Sequence, residues 1–577
     1  MENAEVARLF REMADLLELD GANPFRVRAY RTAARTIETL PEPVARLASG
    51  GVKPLAELPG IGDDLARKII EIVQTGRFQA LEDLARRVPR GLLELVRLPG
   101  LGPKRARALF DALGVRSLAD LRQALTQGRV DTLRGFGAKT RDRLLQAIEQ
   151  HRRDEARFPR PAAAQYGEAF LEYLRASPAV RRAEIAGSYR RRKDTVGDLD
   201  ILVLARDPAL AVERFVRYPE VEEVVAQGSA RAAVRLRSGL NVDLRIFDAE
   251  SYGAGLYYFT GSKAHNIRVR RLAQERGLKV NEYGVWRDER RIAGRTEREV
   301  AAAVGLPLIP PELREDRGEI EAAQQGKLPR LVTLEDIRGD LQAHTTSSDG
   351  RDSLEAMART AEELGYAYLA ITDHTPAVRV AGGLDRKGFL RQRRAIAELN
   401  RSLKSLTVLA GAEVDILPDG SLDLDDATLQ ELDLVVASLH SALRLPAAEQ
   451  TRRIVKALRH PAVDILGHPT ARLLGRRPGV EFDFDEVLHV AAEEGVWLEV
   501  NAQPDRLDLD DIAIQAAVSR GVPVVISTDA HSRAELGFMH WGVDQARRGW
   551  AQARDVANTR TLDKLLRSLR RGIRKAA

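Results

Sequence analysis

The stretch 197–203 reads GDLDILV. In a strand, residues two apart point to the same side. Asp198 and Asp200 therefore share one face, while Leu199, Ile201 and Val203 turn toward a core. Two like charges side by side repel unless a cation lies between them. A third carboxylate, Asp243 in NVDLRIFD, has the same setting, flanked by apolar Val242 and Leu244. Three carboxylates around one point suit hard divalent cations, which take oxygen ligands. Two such ions about 4 Å apart stabilise the attacking and leaving oxygens of a phosphoryl transfer. Just upstream, Gly187-Ser188 is followed by Arg190, Arg191, Arg192 and Lys193. A small pair followed by cations reads as a cradle for a triphosphate.

A second set of chemistry-bearing residues lies near the C-terminus. The chain has 10 histidines, and only His151 and His265 precede residue 340. The segments YLAIT, LTVLAG, LVVAS, VDILG, VWLEVN and PVVIST read as buried strands alternating with helices. They lead into Asp373-His374, Glu413, His440, His468, Asn501, Asp529 and His531. Polar groups at the C-terminal ends of successive parallel strands are the layout of a (β/α) barrel site. The strand count is nearer seven than eight, so a distorted barrel is expected. Mixed imidazole and carboxylate ligands suit manganese, zinc or iron. His460, His489 and His540 stand outside this pattern and are read as ordinary core or surface histidines.

The elements that must position these groups fall into blocks. The 577 residues imply three to five domains. Residues 1 to about 150 are helical by apolar periodicity. They carry one pattern three times: LPGIGDDLARKI (58–69), LPGLGPKRARAL (98–109) and LRGFGAKTRDRL (133–144). The paired glycines Gly60/Gly62, Gly100/Gly102 and Gly135/Gly137 let a backbone approach closely, and the following helix offers unpaired N–H groups to a phosphate. Ile61, Leu101 and Phe136 would anchor each hairpin. Such units grip a nucleic-acid backbone without reading bases. From about 165 the period becomes that of strands, in RRAEIAG, GDLDILVLA, ARAAVRLRS and NVDLRIFD. Residues 316–335, rich in proline and charge, read as a linker.

Composition narrows the class further. There is no cysteine, so disulfides and thiolate metal sites are excluded, and a cytoplasmic location is expected. No apolar segment is long enough to span a bilayer, and the N-terminus has no signal core. The net charge of +6 lends mild support to a polyanionic partner. No coiled coil or dimer seam is readable, so a monomer is expected.

The run GSYRRRKDTVGDLDILV, then VDLRIF, then YYFTGSKAHNIRVRRLAQERGLKVNEYG, resembles the family X DNA polymerases. NPFRVRAYRTAA extends the resemblance to the N-terminal region, so that it covers about residues 1–315. It implies that Asp198 and Asp200 hold two Mg2+ or Mn2+ ions, and that Asp243 holds the catalytic one and helps activate a primer 3′-hydroxyl. Gly187, Ser188 and Arg191 would contact the nucleotide phosphates. Tyr258, Phe259, Gly261 and Asn266 would line the sugar and base pocket, with Lys263 against the incoming nucleotide. Arg270 would touch the template-side minor groove. Lys68 falls where the animal enzyme carries its Schiff-base lysine, so a 5′-deoxyribose phosphate lyase is a further expectation.

GDLQAHTTSSDG, AITDHT, GAEVDI, ASLHS, ILGHPT and ISTDAH resemble the polymerase-and-histidinol-phosphatase (PHP) domain of bacterial family X enzymes. The implied ligands are His344, Asp349, His374, Glu413, His440, His468, Asp529 and His531, binding Mn2+ and/or Zn2+, with Glu413 as a bridge. The family opens with histidine-x-histidine, whereas this chain has Gln342 at the first position.

The expected architecture is an all-α helix-hairpin-helix N-terminal part, an α/β nucleotidyltransferase core and a C-terminal distorted (β/α) barrel. The expected boundaries are 1–85 and 86–160 for two helical DNA-binding domains, 161–255 for a palm, 256–315 for a thumb and 336–577 for the PHP domain. The expected activity is addition of dNTPs to primer ends on gapped or primed duplex DNA in repair, with a Mn2+-dependent 3′→5′ exonuclease in the barrel. Three other readings stay open: a mainly structural PHP domain, a phosphatase acting on small esters, and a template-independent nucleotidyltransferase.

Overall fold

The computed structural model describes residues 3–38, 44–58, 60–96, 98, 101–133, 136–137, 140–145, 148, 157–378, 381–475 and 477–570. The chain divides into two compact units, 1–156 and 157–577. Among the described residues no helix is long and apolar enough to cross a membrane.

The first unit is helical. Helices α1 (Asn3–Leu19) and α2 (Pro24–Glu38) pack on α3 (Asp63–Thr75), and α4 (Pro103–Leu113) follows later in the chain. Phe10, Tyr30 and Phe78 form an aromatic centre, with ring centroids 5.5–6.4 Å apart. Ile61, Leu101 and Phe136 are all buried, so each hairpin's middle residue is an apolar anchor.

The second unit begins with α5 (Arg160–Arg175) and β1 (Val180–Ile185). The short α6 (Gly187–Arg190) leads to β2 (Asp198–Ala205), followed by α7 (Pro208–Val216), β3 (Val221–Gln227), β4 (Arg231–Leu236) and β5 (Asn241–Phe247). The sheet order is β1-β2-β5-β4-β3. The β2–β5 pair is parallel, which sets Asp198 opposite Asn241 and Asp200 opposite Asp243. Leu199, Ile201 and Val203 are buried beneath them. Strand β3 escapes alternation analysis because it is an edge strand, exposed over most of its length.

Two helices, α8 (Tyr252–Thr260) and α9 (Lys263–Gln274), then precede a three-stranded antiparallel sheet of β6 (Lys279–Asn281), β7 (Gly284–Arg287) and β8 (Arg290–Ala293). Next come α10 (Glu297–Ala303) and α11 (Glu319–Gln324). The stretch expected to be a linker is packed. Ile320 and Ala323 of α11 join the core of the preceding subdomain, and Glu319 is fully buried. The reason is polar: the Glu319 carboxylate faces the His265 ring at 2.7 Å and accepts the Asp316 and Arg317 N–H groups. Apolar periodicity cannot reveal such an anchor.

The C-terminal part is a seven-stranded parallel sheet in sequential order: β9 (Gly339–Ala343), β10 (Tyr368–Ile371), β11 (Thr407–Asp415), β12 (Leu434–Ser438), β13 (Ile465–Leu466), β14 (Trp497–Asn501) and β15 (Val524–Ser527). It is nearly closed, because Ala343 bridges Ala530 in parallel and the His344 N–H donates to the Ala530 carbonyl. Strand β9 looks polar in sequence because Asp340 and Gln342 point into the protein. Asp340 is buried and accepts from the Thr528 N–H and hydroxyl. After the last strand, helix α12 (Met539–Arg548) packs against the barrel and faces the palm.

Candidate active sites

At the palm, the parallel register places Asp243 beside Asp200, and Asp198 lies two residues before Asp200 on the same face. Burial, followed by the charges of Asp198 and Asp243, pushes the Asp200 carboxyl up to about 7. Burial also raises Asp243, with Arg245 opposing and Asp198 reinforcing. Both shifts follow from burial and from like charges held close together. Among the described residues, this triad does not gather its oxygens as tightly as the barrel groups do.

The turn before β2 meets these carboxylates. Gly187 has φ +62°, and a Cβ there would lie 2.6 Å from the Asp200 carboxylate, so only glycine fits. The Ala186 N–H donates to the Asp200 carbonyl at 2.7 Å. The three arginines of the basic run are already paired. Arg190 forms two bonds to Glu297, at 2.7–2.8 Å. Arg191 donates from Nε to Glu315 at 2.9 Å and from Nη1 to the Thr260 carbonyl at 2.8 Å. Arg192 contacts Asp544 and Glu312. Ser188 and Arg191 thus stand on the same turn as Gly187. Asn266 donates to the carbonyls of Tyr258 and Gly261, fixing the bend between α8 and α9. Phe259 lies under the Arg245 guanidinium, 4.4 Å from it. Lys263 and Arg270 are exposed on α9.

In the helical unit, Gly62 and Gly102 are the N-caps of α3 and α4 and have open space beside them. Gly137 is likewise open, and its carbonyl accepts from the Thr140 and Arg141 N–H groups. Gly60 takes φ +77° against Thr32. Gly100 and Gly135 lie outside the described residues. Lys68 is ion-paired to Asp64 at 2.5 Å, and its ammonium lies 5.4 Å from the Tyr30 ring centroid. Burial opposes the ammonium form, but Asp64 and Tyr30 outweigh it and raise the Lys68 pKa. A Schiff-base lysine needs the opposite shift.

The barrel brings all eight expected ligands together. Three groups have ligand atoms within 4.8 Å of one another: His344, Asp349, His374 and His531; His374, Glu413 and His440; and His344, Glu413 and Asp529. His468 joins them, its Nε2 lying 2.9 Å from Glu413. Burial disfavours a charged His344, but Asp529 and Glu413 win and raise it well above its ordinary value. His440 is pushed up to about 9, against burial, by Glu413 and Asp415. Glu413 is held well below the usual carboxylate range: burial opposes this, and His374 and His440 prevail. His468 and Asp529 have positive φ angles of 23° and 51°. Strained backbone of this kind persists where the surroundings over-determine it.

The buried His344, His374 and His468 and the partly buried His440 each have an Nδ1 without a hydrogen bond, and Glu413 Oε2 has none either. Unsatisfied nitrogen and oxygen atoms in a cluster of this composition fit divalent cations. Gln342 is fully buried, and neither of its amide atoms has a partner. Its Oε1 would lie 3.5 Å from a Cβ at Gly467, beside His468.

Several residues outside the expected ligand set support it, and of these only Asn501 stood out in the sequence. Asp415 accepts the His440 N–H at 3.0 Å, and Glu499 accepts the His468 N–H at 2.6 Å. Asn501 bridges Glu499 and Asp529, and Glu535 accepts the His531 N–H. Asp415 was within reach, since it lies two residues beyond Glu413 on the same strand face. Glu499, a lone acid in the apolar run VWLEVN, was a second available signal.

Fold and sites together define a nucleotidyltransferase palm joined to a parallel barrel whose clustered histidines and carboxylates could hold metal ions. Comparison with known proteins gives the same division. Residues 1–78 match a helix-hairpin-helix domain and 92–150 a SAM-like helix-hairpin-helix tandem. Residues 157–241 match the DNA polymerase beta palm, 255–315 the DNA polymerase beta thumb and 340–503 the PHP domain. The DNA polymerase/3'-5' exonuclease PolX of Bacillus subtilis is 38% identical over 569 residues, spanning 97% of this chain and 98% of that protein. A probable phosphatase of Thermoanaerobacter sp. is 30% identical over 209 residues, 34% of this chain and 80% of its own length. The chain belongs to the family X DNA polymerases that carry a PHP domain. Divalent-metal dependence, DNA binding and nucleotide substrates go with that membership.

Proposed function

We propose that the palm adds dNTPs to a primer 3′ end within short gaps, and that the barrel removes nucleotides from 3′ ends. The observation that carries this reading is the pairing of Asp200 with Asp243 beneath the Gly187 turn. That arrangement puts a carboxylate cluster under a turn bearing small residues and cations. When bound, divalent cations at the two sites neutralise phosphoryl oxygens and acidify water.

The residues divide the work. Asp198, Asp200 and Asp243 hold Mg2+ or Mn2+. Gly187, Ser188 and Arg191 orient the triphosphate. Tyr258, Phe259, Gly261 and Asn266 shape the pocket for sugar and base, and Lys263 meets the incoming nucleotide. Arg270 and the open hairpin glycines follow the DNA backbone. In the barrel, His344, Asp349, His374, Glu413, His440, His468, Asp529 and His531 hold Mn2+ and/or Zn2+. Lys68 is left out as a lyase nucleophile because its ion pair keeps it protonated.

The deciding assay is templated incorporation on a one-nucleotide-gapped duplex, compared with extension of a single strand. Equal extension of both, indifferent to the template base, would favour a template-independent transferase. A weakly hydrolytic barrel is the second reading, and the unpartnered Gln342 amide favours it. Nuclease rates for Gln342→His and for the parent chain separate the two.

A further inference from the structure

The palm turn that bears Gly187, Ser188 and Arg191 is held from outside the palm. It contains two left-handed residues, Gly187 at φ +62° and Arg192 at φ +59°. A non-glycine residue in that region is unfavourable and persists only where its surroundings fix it. The surroundings here are Glu312 and, from the barrel domain, residues of α12 together with Arg472. Asp544 of α12 pairs with Arg192 and, at 2.7 Å, with Arg160. Arg548, the last residue of α12, donates to the Arg191 carbonyl at 2.5 Å and to Glu315 at 3.2 Å. Arg472 pairs with Asp194 at 3.2 Å.

The Arg548 contact bears directly on Arg191. Glu315 accepts from both Arg191 Nε and Arg548. Its charge is therefore shared, and Arg191 is not neutralised by it alone. With Nε on Glu315 and Nη1 on the Thr260 carbonyl, Arg191 is fixed in one orientation, and among the described residues its Nη2 has no partner, which leaves that edge for a phosphate. Arg548 is itself set by Asp511, at 2.5 Å. It is only 2% exposed, so this network works at low dielectric, where losing one member is felt by the others.

We propose that Arg548 is a positioning residue for polymerisation: the barrel domain, through Arg548 and Asp544, holds the nucleotide-phosphate turn of the palm in its working shape. This rests on the reading of that turn as the triphosphate site.

The test uses the full chain, with dNTP KM and kcat measured on a one-nucleotide gap in Mg2+. Arg548→Met is expected to raise the KM about tenfold with kcat within about threefold, because the loss falls on nucleotide binding. Arg548→Lys should recover most of that loss, and the Mn2+-dependent nuclease rate should stay unchanged. Arg191→Ala should raise the KM too, and the double variant should be no worse than Arg191→Ala alone, as expected for residues acting in series. If Arg191→Ala raises the KM and Arg548→Met leaves it within twofold, the positioning role is wrong and the triphosphate reading stands. If Arg191→Ala has no effect on the KM, the triphosphate reading itself fails. Should Arg548→Met not fold, Asp544→Asn takes its place, with a KM increase again expected. Equal loss of polymerase and nuclease activity in Asp544→Asn, with a lowered Tm, overturns the proposal in favour of a general structural role.

Discussion

Replacing Asp200 with asparagine should abolish synthesis and, in the absence of divalent ions, make the protein more stable at alkaline pH. The Asp200 carboxyl titrates near 3.8 in an unfolded chain and at about 7 in the folded one. A proton on Asp200 therefore favours folding. That contribution is complete below pH 4 and is lost as pH rises through 7. Above pH 7 the folded protein carries an ionised carboxylate beside Asp198 and Asp243. The shift of about three units corresponds to roughly 4 kcal/mol. Partial solvent access at the site reduces this to about 2 kcal/mol. Asparagine keeps the shape and removes the charge. In EDTA at pH 8, Asp200→Asn should melt roughly 2–4 °C above the parent, and at pH 4 the two should coincide. Adding Mg2+ should reverse the order, because only the parent gains binding free energy. Thermal scans at the two pH values, with and without Mg2+, test all three statements. A variant that melts below the parent in EDTA at pH 8 would refute the claim that these carboxylates crowd one another at a cation site.

Four other outcomes are expected. Asp200→Ala should remove synthesis and spare Mn2+-dependent degradation, while His468→Ala or Asp529→Ala should do the reverse; loss of both activities in a folded Asp200→Ala protein would undo the two-site division. Gln342→His should raise tightly bound metal per chain, read by elemental analysis after dialysis; an unchanged count would mean that this position is not a ligand. Metal-stripped protein should lose stability as pH rises from about 6.5 to 9, because His440 and His344 bind protons more tightly folded than unfolded, and Mn2+ should flatten that slope. Borohydride trapping on a 5′-deoxyribose phosphate end should give little adduct at Lys68, and Asp64→Asn should increase it by releasing the amine from its ion pair.

Much of this was legible in the sequence, because the ligands sit at strand ends whose apolar runs announce themselves. Asp198, Asp200 and Asp243 follow from period-two alternation alone, and the parallel register then joins them. Six of the seven barrel strands were also readable from buried runs. Polar anchoring was hidden. Asp340 and Gln342 disguise the first barrel strand, and Glu319 turns an apparent tether into part of a core. The pairing of Arg190, Arg191 and Arg192 with Glu297, Glu315 and Asp544 joins residues more than a hundred positions apart, and no local pattern encodes it.

The order of ligands along the barrel bears on how the protein is made. His344 and Asp349 follow the first strand, whereas Asp529 and His531 follow the last, and the Ala343–Ala530 bridge closes the ring between them. A nascent chain still emerging from the ribosome cannot assemble the group of His344, Glu413 and Asp529 until its last strand has docked. Non-local closure of this sort is slow, because chain entropy must be overcome before any contact rewards it. Cation capture by that group then acts as a clasp on a finished ring, whereas the group of His374, Glu413 and His440 needs only earlier strands.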